Sequence, residues 1–124
     1  MDDISKSELE ILHVIWRTSP ISTNDIVDTL QASHGWHDKT TRTLITRLVK
    51  KQAVSFEKVG RQYFYTPLID QDTYLASQSK SFLQRVFKGN FIGLVSGFAK
   101  SESLSRDDIE QLKQFIDDWE KKND

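Results

Sequence analysis

The stretch Lys39-Thr-Thr-Arg-Thr-Leu-Ile-Thr-Arg-Leu-Val-Lys-Lys51 separates into two faces when it is wound as an α-helix. Its apolar side chains fall within one arc of about 140°, with Thr41 inside that arc. They are Leu44, Ile45, Leu48 and Val49, and the opposite side carries Lys39, Thr43, Thr46, Arg47 and Lys50. The thirteen residues contain five positive charges and no carboxylate. This pattern suits the major groove of DNA, although the basic solvated face of an ordinary helix is an alternative.

Two shorter helices precede this stretch. The segment from Ser5 to Glu8 is a capping box that starts the first helix, and Pro20 follows its end. Residues 22–25 start the second helix, and Gly35 lies in the segment that ends it. The buried stripe of the second helix should be Ile26, Val27 and Leu30.

The pattern changes from helical to extended after the basic helix. Residues 54–58 and 62–66 are rich in β-branched and aromatic side chains, and Gly60 supplies a turn between them. Three short helices and a hairpin with Arg61 at its tip predict a winged helix-turn-helix. The recognition helix would be about 39–51 and the wing about 54–66.

The charges of the chain are distributed unevenly. Residues 36–66 hold seven Lys or Arg against two carboxylates, a net charge of +5, whereas the chain of 124 residues has a net charge of −1. A localised basic region of this kind is typical of a nucleic-acid-binding surface. A winged helix that binds another protein is the alternative, but such a module has no need to concentrate positive charge on the helix and wing.

The composition shifts after Pro67, so we expect a winged-helix domain at 1–69 and a helical dimerisation region at 70–124. The fold class is therefore α+β and mainly helical. Helices are predicted over 71–88, 91–98 and from Ser105 onward. Their apolar stripes are too small to form a core alone, so a second copy of the chain should cover them. The dimerisation candidates are Phe82, Leu83, Val86, Phe87, Ile109, Leu112, Ile116 and Trp119.

Several function classes are disfavoured by the residues themselves. The chain has no cysteine and no nucleophile–base pairing, so we expect no catalytic activity and no cofactor. His34 and His37 could ligate zinc, but only Asp38 offers a third ligand where a structural site needs four, so no metal is expected. No apolar run approaches the ~20 residues of a membrane span, and the acidic start is not a signal peptide. These features predict a cytoplasmic protein without membrane insertion.

The sequence resembles the BlaI/MecI/CopY family of transcriptional repressors from about Ile4 to Trp119. The matching segments are Leu9 to Trp16, Trp36, Lys39-Thr40 with Thr43, Arg47 to Lys51, Gly60-Arg61, Tyr65 to Pro67, and Ser81 to Leu83. The resemblance implies a homodimeric repressor of β-lactamase or related resistance genes, whose winged helices bind a palindromic double-stranded operator. The family's DNA contacts carry over to Lys39, Thr40, Thr43, Arg47 and, at the wing, Arg61.

Members of this family are regulated by proteolysis or by metal, and this chain differs from their sequence patterns at several positions. Staphylococcal-type members are cleaved by a membrane sensor-protease at an Asn-Phe bond in the dimerisation helices, and the aligned bond here is Gly97–Phe98. An Asn90-Phe91 pair lies seven residues earlier. Gln52 stands where relatives often have Gly, and the C-terminal cysteines of CopY-type copper sensors are absent. The predicted DNA-binding residues are thus Lys39, Thr40, Arg42, Thr43, Thr46, Arg47, Lys50 and Arg61, with Lys51 also expected near phosphate.

Overall fold

A computed structural model describes residues 3–123 of the chain. Its elements in order are α1 (Lys6–Arg17), β1 (Ile21–Ser22), α2 (Thr23–His34), α3 (Asp38–Lys50), β2 (Val54–Val59), β3 (Gln62–Pro67), α4 (Gln71–Phe87), α5 (Phe91–Lys100) and α6 (Arg106–Lys122). The chain divides between Leu75 and Ala76 into two compact units. We call the part up to Leu75 the winged-helix unit and the part from Ala76 onward the C-terminal unit.

The helix starts follow from side-chain caps that the sequence predicted. The Ser5 hydroxyl accepts a hydrogen bond from the Glu8 backbone N–H, and Glu8 Oε1 accepts one from the Ser5 backbone N–H. Ser22 caps α2 by accepting from the Asp25 backbone N–H at 3.2 Å. These caps satisfy backbone donors that the first helical turn leaves without partners. Both predicted starts are confirmed.

The wing is the hairpin of β2 and β3, and a third strand extends it. Gly60 has a φ of +64°, a left-handed conformation that glycine adopts without strain, so it can form the hairpin turn. The sheet is antiparallel with the order β1-β3-β2, and Ile21 of β1 lies opposite Tyr65 of β3. The hairpin prediction is confirmed, but β1 was not predicted.

One apolar core holds the helices and sheet of the winged-helix unit together. Its buried residues are Ile11, Leu12, Val14, Ile15, Ile21, Ile26, Leu30, Leu44, Ile45, Leu48, Ala53 and Val54. Thr41 is also fully buried, on the same face of α3 as Leu44 and Leu48. The predicted stripes of α2 and α3 therefore face the core, and the winged-helix fold class is confirmed. Gln52 follows α3 with a φ of +62°, the conformation for which glycine is preferred after a helix.

The winged-helix unit continues past the hairpin into the start of α4. The indole Nε1–H of Trp16 donates to the Ile69 carbonyl at 2.9 Å, and its ring lies 5.9 Å from the ring of Tyr74. These contacts join α1 to the segment that follows β3. The first residues of α4 thus belong structurally with the winged helix.

The C-terminal unit consists of helices whose predicted positions are confirmed. The helix predicted over 71–88 ends at Phe87, and the apolar segment 91–98 is helical as far as Lys100. Ser105 and Asp108 form a second capping box at the start of α6. Within the described residues, α4, α5 and α6 have no buried residue. No helix among residues 3–123 is both long enough and apolar enough to cross a membrane.

Candidate nucleic-acid interface

The outward face of α3 carries seven of the residues that were predicted to bind DNA. Lys39, Thr40, Arg42, Thr43, Thr46, Arg47 and Lys50 are all exposed. The opposite face is buried, because Thr41, Leu44, Ile45 and Leu48 pack into the core. The core therefore fixes which side of α3 points outward, and that side presents hydroxyl, guanidinium and ammonium groups.

Two open grooves run along this outward face. One is lined by His37, Asp38, Lys39, Arg42, Thr43 and Thr46. The other is lined by His37, Lys39, Thr40, Thr43, Leu44 and Arg47. His37, Lys39 and Thr43 border both grooves, so Thr43 and its neighbours form a ridge between them.

Arg42 and Arg61 come together although 18 residues separate them. Both line a third groove between the start of α2 and the wing, together with Asn24 and Tyr63. The Arg42 guanidinium is engaged within the protein, since its Nε contacts the Asp38 carboxylate and its Nη2 donates to Asn24 Oδ1 at 3.3 Å. Arg42 is therefore less free than its sequence position suggested.

Lys51 is directed inward, contrary to the expectation that it lies near phosphate. Its ammonium group lies 2.7 Å from Glu8 Oε1 and 2.6 Å from the Asp3 carbonyl oxygen. Glu8 is 1% exposed, so this ion pair joins the start of α1 to the end of α3 inside the protein. Burial raises the pKa of Glu8, but hydrogen bonds from Lys51 and Ser5 outweigh burial and lower it below its ordinary value. The carboxylate thus stays charged and anchors the C-terminal end of α3.

The two histidines considered as zinc ligands have other partners. His34 Nε2 lies 3.3 Å from Glu10 Oε2, and His34 Nδ1 is hydrogen-bonded to the Ser33 hydroxyl. His37 is the N-cap of α3, where its Nδ1 accepts from the Lys39 backbone N–H at 3.1 Å. Residues 3–123 contain no cluster of three or more His, Asp or Glu suited to a metal ion. Sequence reasoning missed His37 as a cap because histidine is not among the residues usually preferred there.

The dimerisation candidates are divided between exposed and partly exposed positions. Phe82, Val86, Ile116 and Trp119 are 41% to 58% exposed, whereas Leu83, Phe87, Ile109 and Leu112 are partly covered. Four large apolar side chains of α5 and α6 outside the predicted set are also exposed: Phe91, Ile92, Phe98 and Phe115. The sequence contained a signal for Phe115, which is adjacent to Ile116 on the last helical stripe.

The Gly97–Phe98 bond lies inside α5 rather than in a loop. Phe98 is 49% exposed, and a methyl group added at Gly97 would point into open space. Asn90 is instead the N-cap of α5, where its Oδ1 accepts from the Gly93 backbone N–H at 3.0 Å. A protease that requires an extended substrate would therefore have to unwind part of α5, and Gly93 and Gly97 both lower the cost of unwinding.

Comparison with known proteins assigns the chain to a family. The family model described as Penicillinase repressor matches residues 4–118. The chain belongs to the penicillinase-repressor family. It is 38% identical over 115 residues to the penicillinase repressor of Bacillus licheniformis, which covers 93% of this chain and 90% of that protein. It is 37% identical over 114 residues to the methicillin resistance regulatory protein MecI of Staphylococcus aureus strain N315, covering 92% and 93% of the two chains.

Two solved structures of the penicillinase-repressor family resemble this one. The solution structure of the DNA-binding domain of the repressor BlaI has 42% identity and a TM-score of 0.54, and it covers 60% of this chain and 94% of that one. The monomeric form of Bacillus licheniformis BlaI in complex with the blaP half-operator has 42% identity and a TM-score of 0.53, covering 59% and 89%. The family consists of repressors, so the resemblance to BlaI and MecI and the expectation of a protein that is not an enzyme are both confirmed.

Proposed function

We propose that this chain is a DNA-binding transcriptional repressor that places α3 in the major groove and the wing beside it. The observation that carries the proposal is the outward face of α3. Lys39, Arg47 and Lys50 form no ion pair within residues 3–123, so their charges are free for phosphates and base edges. Such unpaired cations beside short hydroxyls fit a helix that reads DNA.

The solved relatives support the same proposal. The monomeric form of Bacillus licheniformis BlaI, which is similar to 59% of this chain, was solved in complex with the blaP half-operator. In the candidate interface of this chain, Thr43 and Arg47 lie one turn apart at the ridge and would contact neighbouring base pairs. Lys50 at the end of α3 and Arg61 on the wing would contact phosphates, because a flexible or terminal cation acts mainly as a point charge.

The second part of the proposal is that two copies of the chain bind a palindromic operator. A helix with an apolar stripe must pack that stripe against something, and the described C-terminal unit has no buried residue. A second copy of the same unit would cover Phe82, Val86, Ile116 and Trp119. Two winged-helix units held in this way would meet two half-sites related by the same twofold symmetry.

The regulated genes and the release of repression complete the proposal. Relatives named as penicillinase and methicillin resistance regulators support control of β-lactamase or related resistance genes, in the cytoplasm where such operators reside. Repression would be relieved when a membrane sensor-protease cuts α5 at Gly97–Phe98. The cut would separate α4 from α6 and weaken the dimer, so that operator occupancy falls by mass action.

The proposal is tested by titrating labelled DNA with the full chain at several salt concentrations. The operator is first selected from random-sequence duplexes with the wild-type protein. We expect affinity to fall steeply with salt, because phosphate contacts release counterions. Lys50→Ala should reduce the salt slope by about one unit for each phosphate that Lys50 neutralises, whereas Lys121→Ala in α6 should leave the slope unchanged. Absence of salt-dependent DNA binding would instead support a winged helix that binds protein.

A further inference from the structure

His37 accepts a hydrogen bond through one ring nitrogen, although its side chain is exposed at the start of α3. Its backbone has the extended conformation of an N-cap, and its Nδ1 accepts from the Lys39 backbone N–H. A neutral imidazole has one protonated nitrogen and one acceptor nitrogen. Because Nδ1 is the acceptor here, the ring proton lies on Nε2. The cap therefore makes His37 an Nε2–H donor.

The position of this donor matters because His37 borders both grooves on the outward face of α3. It shares them with Lys39 and Thr43, two residues predicted to contact DNA. Nε2 of His37 has no hydrogen-bond partner within residues 3–123. The nearby Asp38 carboxylate is paired with Arg42. An unused donor thus stands at the end of the helix that usually enters the groove first.

We propose that His37 contacts DNA, with its Nε2–H donating to an acceptor oxygen or nitrogen of the duplex. This inference rests on the proposed function and adds a residue that the recognition-helix pattern did not include. The acceptor is either a phosphate oxygen or an acceptor on a base edge, since both lie within reach of the first turn of a recognition helix. His37 therefore has two roles: its Nδ1 caps α3, and its Nε2–H binds DNA.

Two substitutions separate these roles. Serine is a preferred N-cap, so His37→Ser keeps the cap but removes the long donor, whereas His37→Ala removes both. We expect the melting temperature of His37→Ser to match the wild type and that of His37→Ala to be lower. Affinity for the selected operator should fall about threefold to tenfold in both variants, as for the removal of one hydrogen bond. If His37→Ser binds with wild-type affinity, His37 is only a cap and the inference is wrong.

The two acceptor types give different patterns of weakened binding. If the acceptor is a phosphate, His37→Ser should weaken binding to operator and to random DNA by the same factor. If it is a base edge, the substitution should weaken operator binding alone and relax the preference at one base pair per half-site. Either pattern supports the inference, because in both cases the His37→Ser variant keeps the helix cap but binds DNA more weakly than the wild type.

A direct measurement of the ring is independent of the variants. Nitrogen-15 NMR of the full chain at alkaline pH distinguishes the Nε2–H from the Nδ1–H tautomer. We expect Nε2–H in the free protein, and an Nε2 proton that exchanges more slowly once operator DNA is added. An Nδ1–H tautomer would overturn the inference, as would an unchanged exchange rate on DNA.

The failure of this inference is distinguishable from the failure of the proposed function. The wild-type chain and the Arg47→Ala variant are titrated on the same duplexes. If wild-type protein does not bind DNA, the proposed function fails and the inference fails with it. The other case is that wild-type protein binds DNA, that Arg47→Ala weakens this binding and that His37→Ser does not. In that case the proposed function stands, and only the DNA contact of His37 is wrong.

Discussion

The two units of the chain differ in how they bury their apolar side chains. In the winged-helix unit, thirteen apolar residues among those described are buried, and several, such as Ile11 and Leu48, are completely inaccessible. In α5 and α6, large apolar side chains such as Ile92 and Phe115 remain about two-thirds exposed. The first unit therefore contains the contacts that fold it, whereas the second exposes apolar side chains that a second copy of the chain is proposed to cover. In the proposed function, one unit binds one half-site, and a pair of units binds the palindrome.

The largest expected effect comes from separating the units. A chain that ends at Leu75 retains the contacts of Trp16 with Ile69 and Tyr74, which truncation after Pro67 would remove. We expect it to fold as a monomer and to bind a full operator about 10²–10⁴-fold more weakly than the full chain does. In a dimer, binding at one half-site places the second winged-helix unit close to the other half-site, and the truncated chain loses this advantage. Fluorescence anisotropy on full and half operators measures this difference in affinity. An equal affinity of both proteins for the full operator would contradict the division of roles.

Alanine substitutions in the two units should have different consequences. Ile15→Ala creates a cavity in the winged-helix core and should lower the free energy of unfolding by about 2–5 kcal/mol. Phe115→Ala removes a side chain that is 66% exposed, so it should leave unfolding of the winged-helix unit unchanged and weaken self-association. Denaturation followed by tryptophan fluorescence, together with sedimentation, measures both. A large decrease of winged-helix stability in Phe115→Ala would show that the units are not independent.

Within α3, base reading and phosphate binding should be carried out by different residues. Arg47→Ala should cost about 1–3 kcal/mol on the operator and relax the preference at one base pair per half-site. Lys50→Ala should weaken operator and random DNA equally, since a phosphate contact has no sequence information. Binding titrations of both variants on both DNAs test this difference. If Arg47→Ala weakens the two DNAs by the same factor, Arg47 binds phosphate instead.

Glu8→Gln should destabilise the winged-helix unit by about 1–3 kcal/mol near neutral pH, because it removes a buried charged hydrogen bond to Lys51. The pKa of Glu8 is lowered in the folded state, so the carboxylate contributes stability above its unfolded-state pKa. That contribution disappears as the pH falls through the folded-state pKa. Melting curves of wild type and Glu8→Gln should therefore converge in acid. A difference that is constant with pH would show that the charge of Glu8 contributes nothing.

The smallest expected effect concerns α5. Gly97→Ala fits the open space beside Gly97 and should stabilise the helix by roughly 1 kcal/mol, since alanine favours helix over glycine. If the protease cuts Gly97–Phe98 after local unwinding, the variant should be cleaved several-fold more slowly in induced cells. Mass spectrometry of the recovered protein gives the fragment masses. Unchanged cleavage would place the cut elsewhere, with Asn90–Phe91 as the next bond to examine.

The local features of this fold could be predicted because each depends on neighbouring residues. The capping boxes at Ser5 and Ser105 lie within three residues of their partners, and the buried stripe of α3 follows from helical periodicity. The exposure of Arg47 and Thr43 follows in turn, because the buried stripe determines the opposite face. This is why the candidate interface could be assigned to α3 before its surroundings were known.

The features that sequence reasoning missed depend on the three-dimensional surroundings of each residue. The two-residue strand β1 has no pattern of its own and exists only because it pairs with β3. Lys51 resembles the other α3 cations in sequence, but Glu8, 43 residues away, draws it into the protein. The spacing of His37 from His34 suggests a metal ligand, and its role as a cap is visible only from the position of the Lys39 backbone N–H.

The mass of the full chain in solution shows directly whether two copies associate. Sedimentation equilibrium over a range of concentrations, without DNA, determines whether the chain associates with a second copy. We expect a reversible association from the 14.4 kDa chain to a species of twice that mass. We also expect two chains to bind each operator. A chain that remains at 14.4 kDa at concentrations that saturate the operator, with one chain bound, would contradict these expectations.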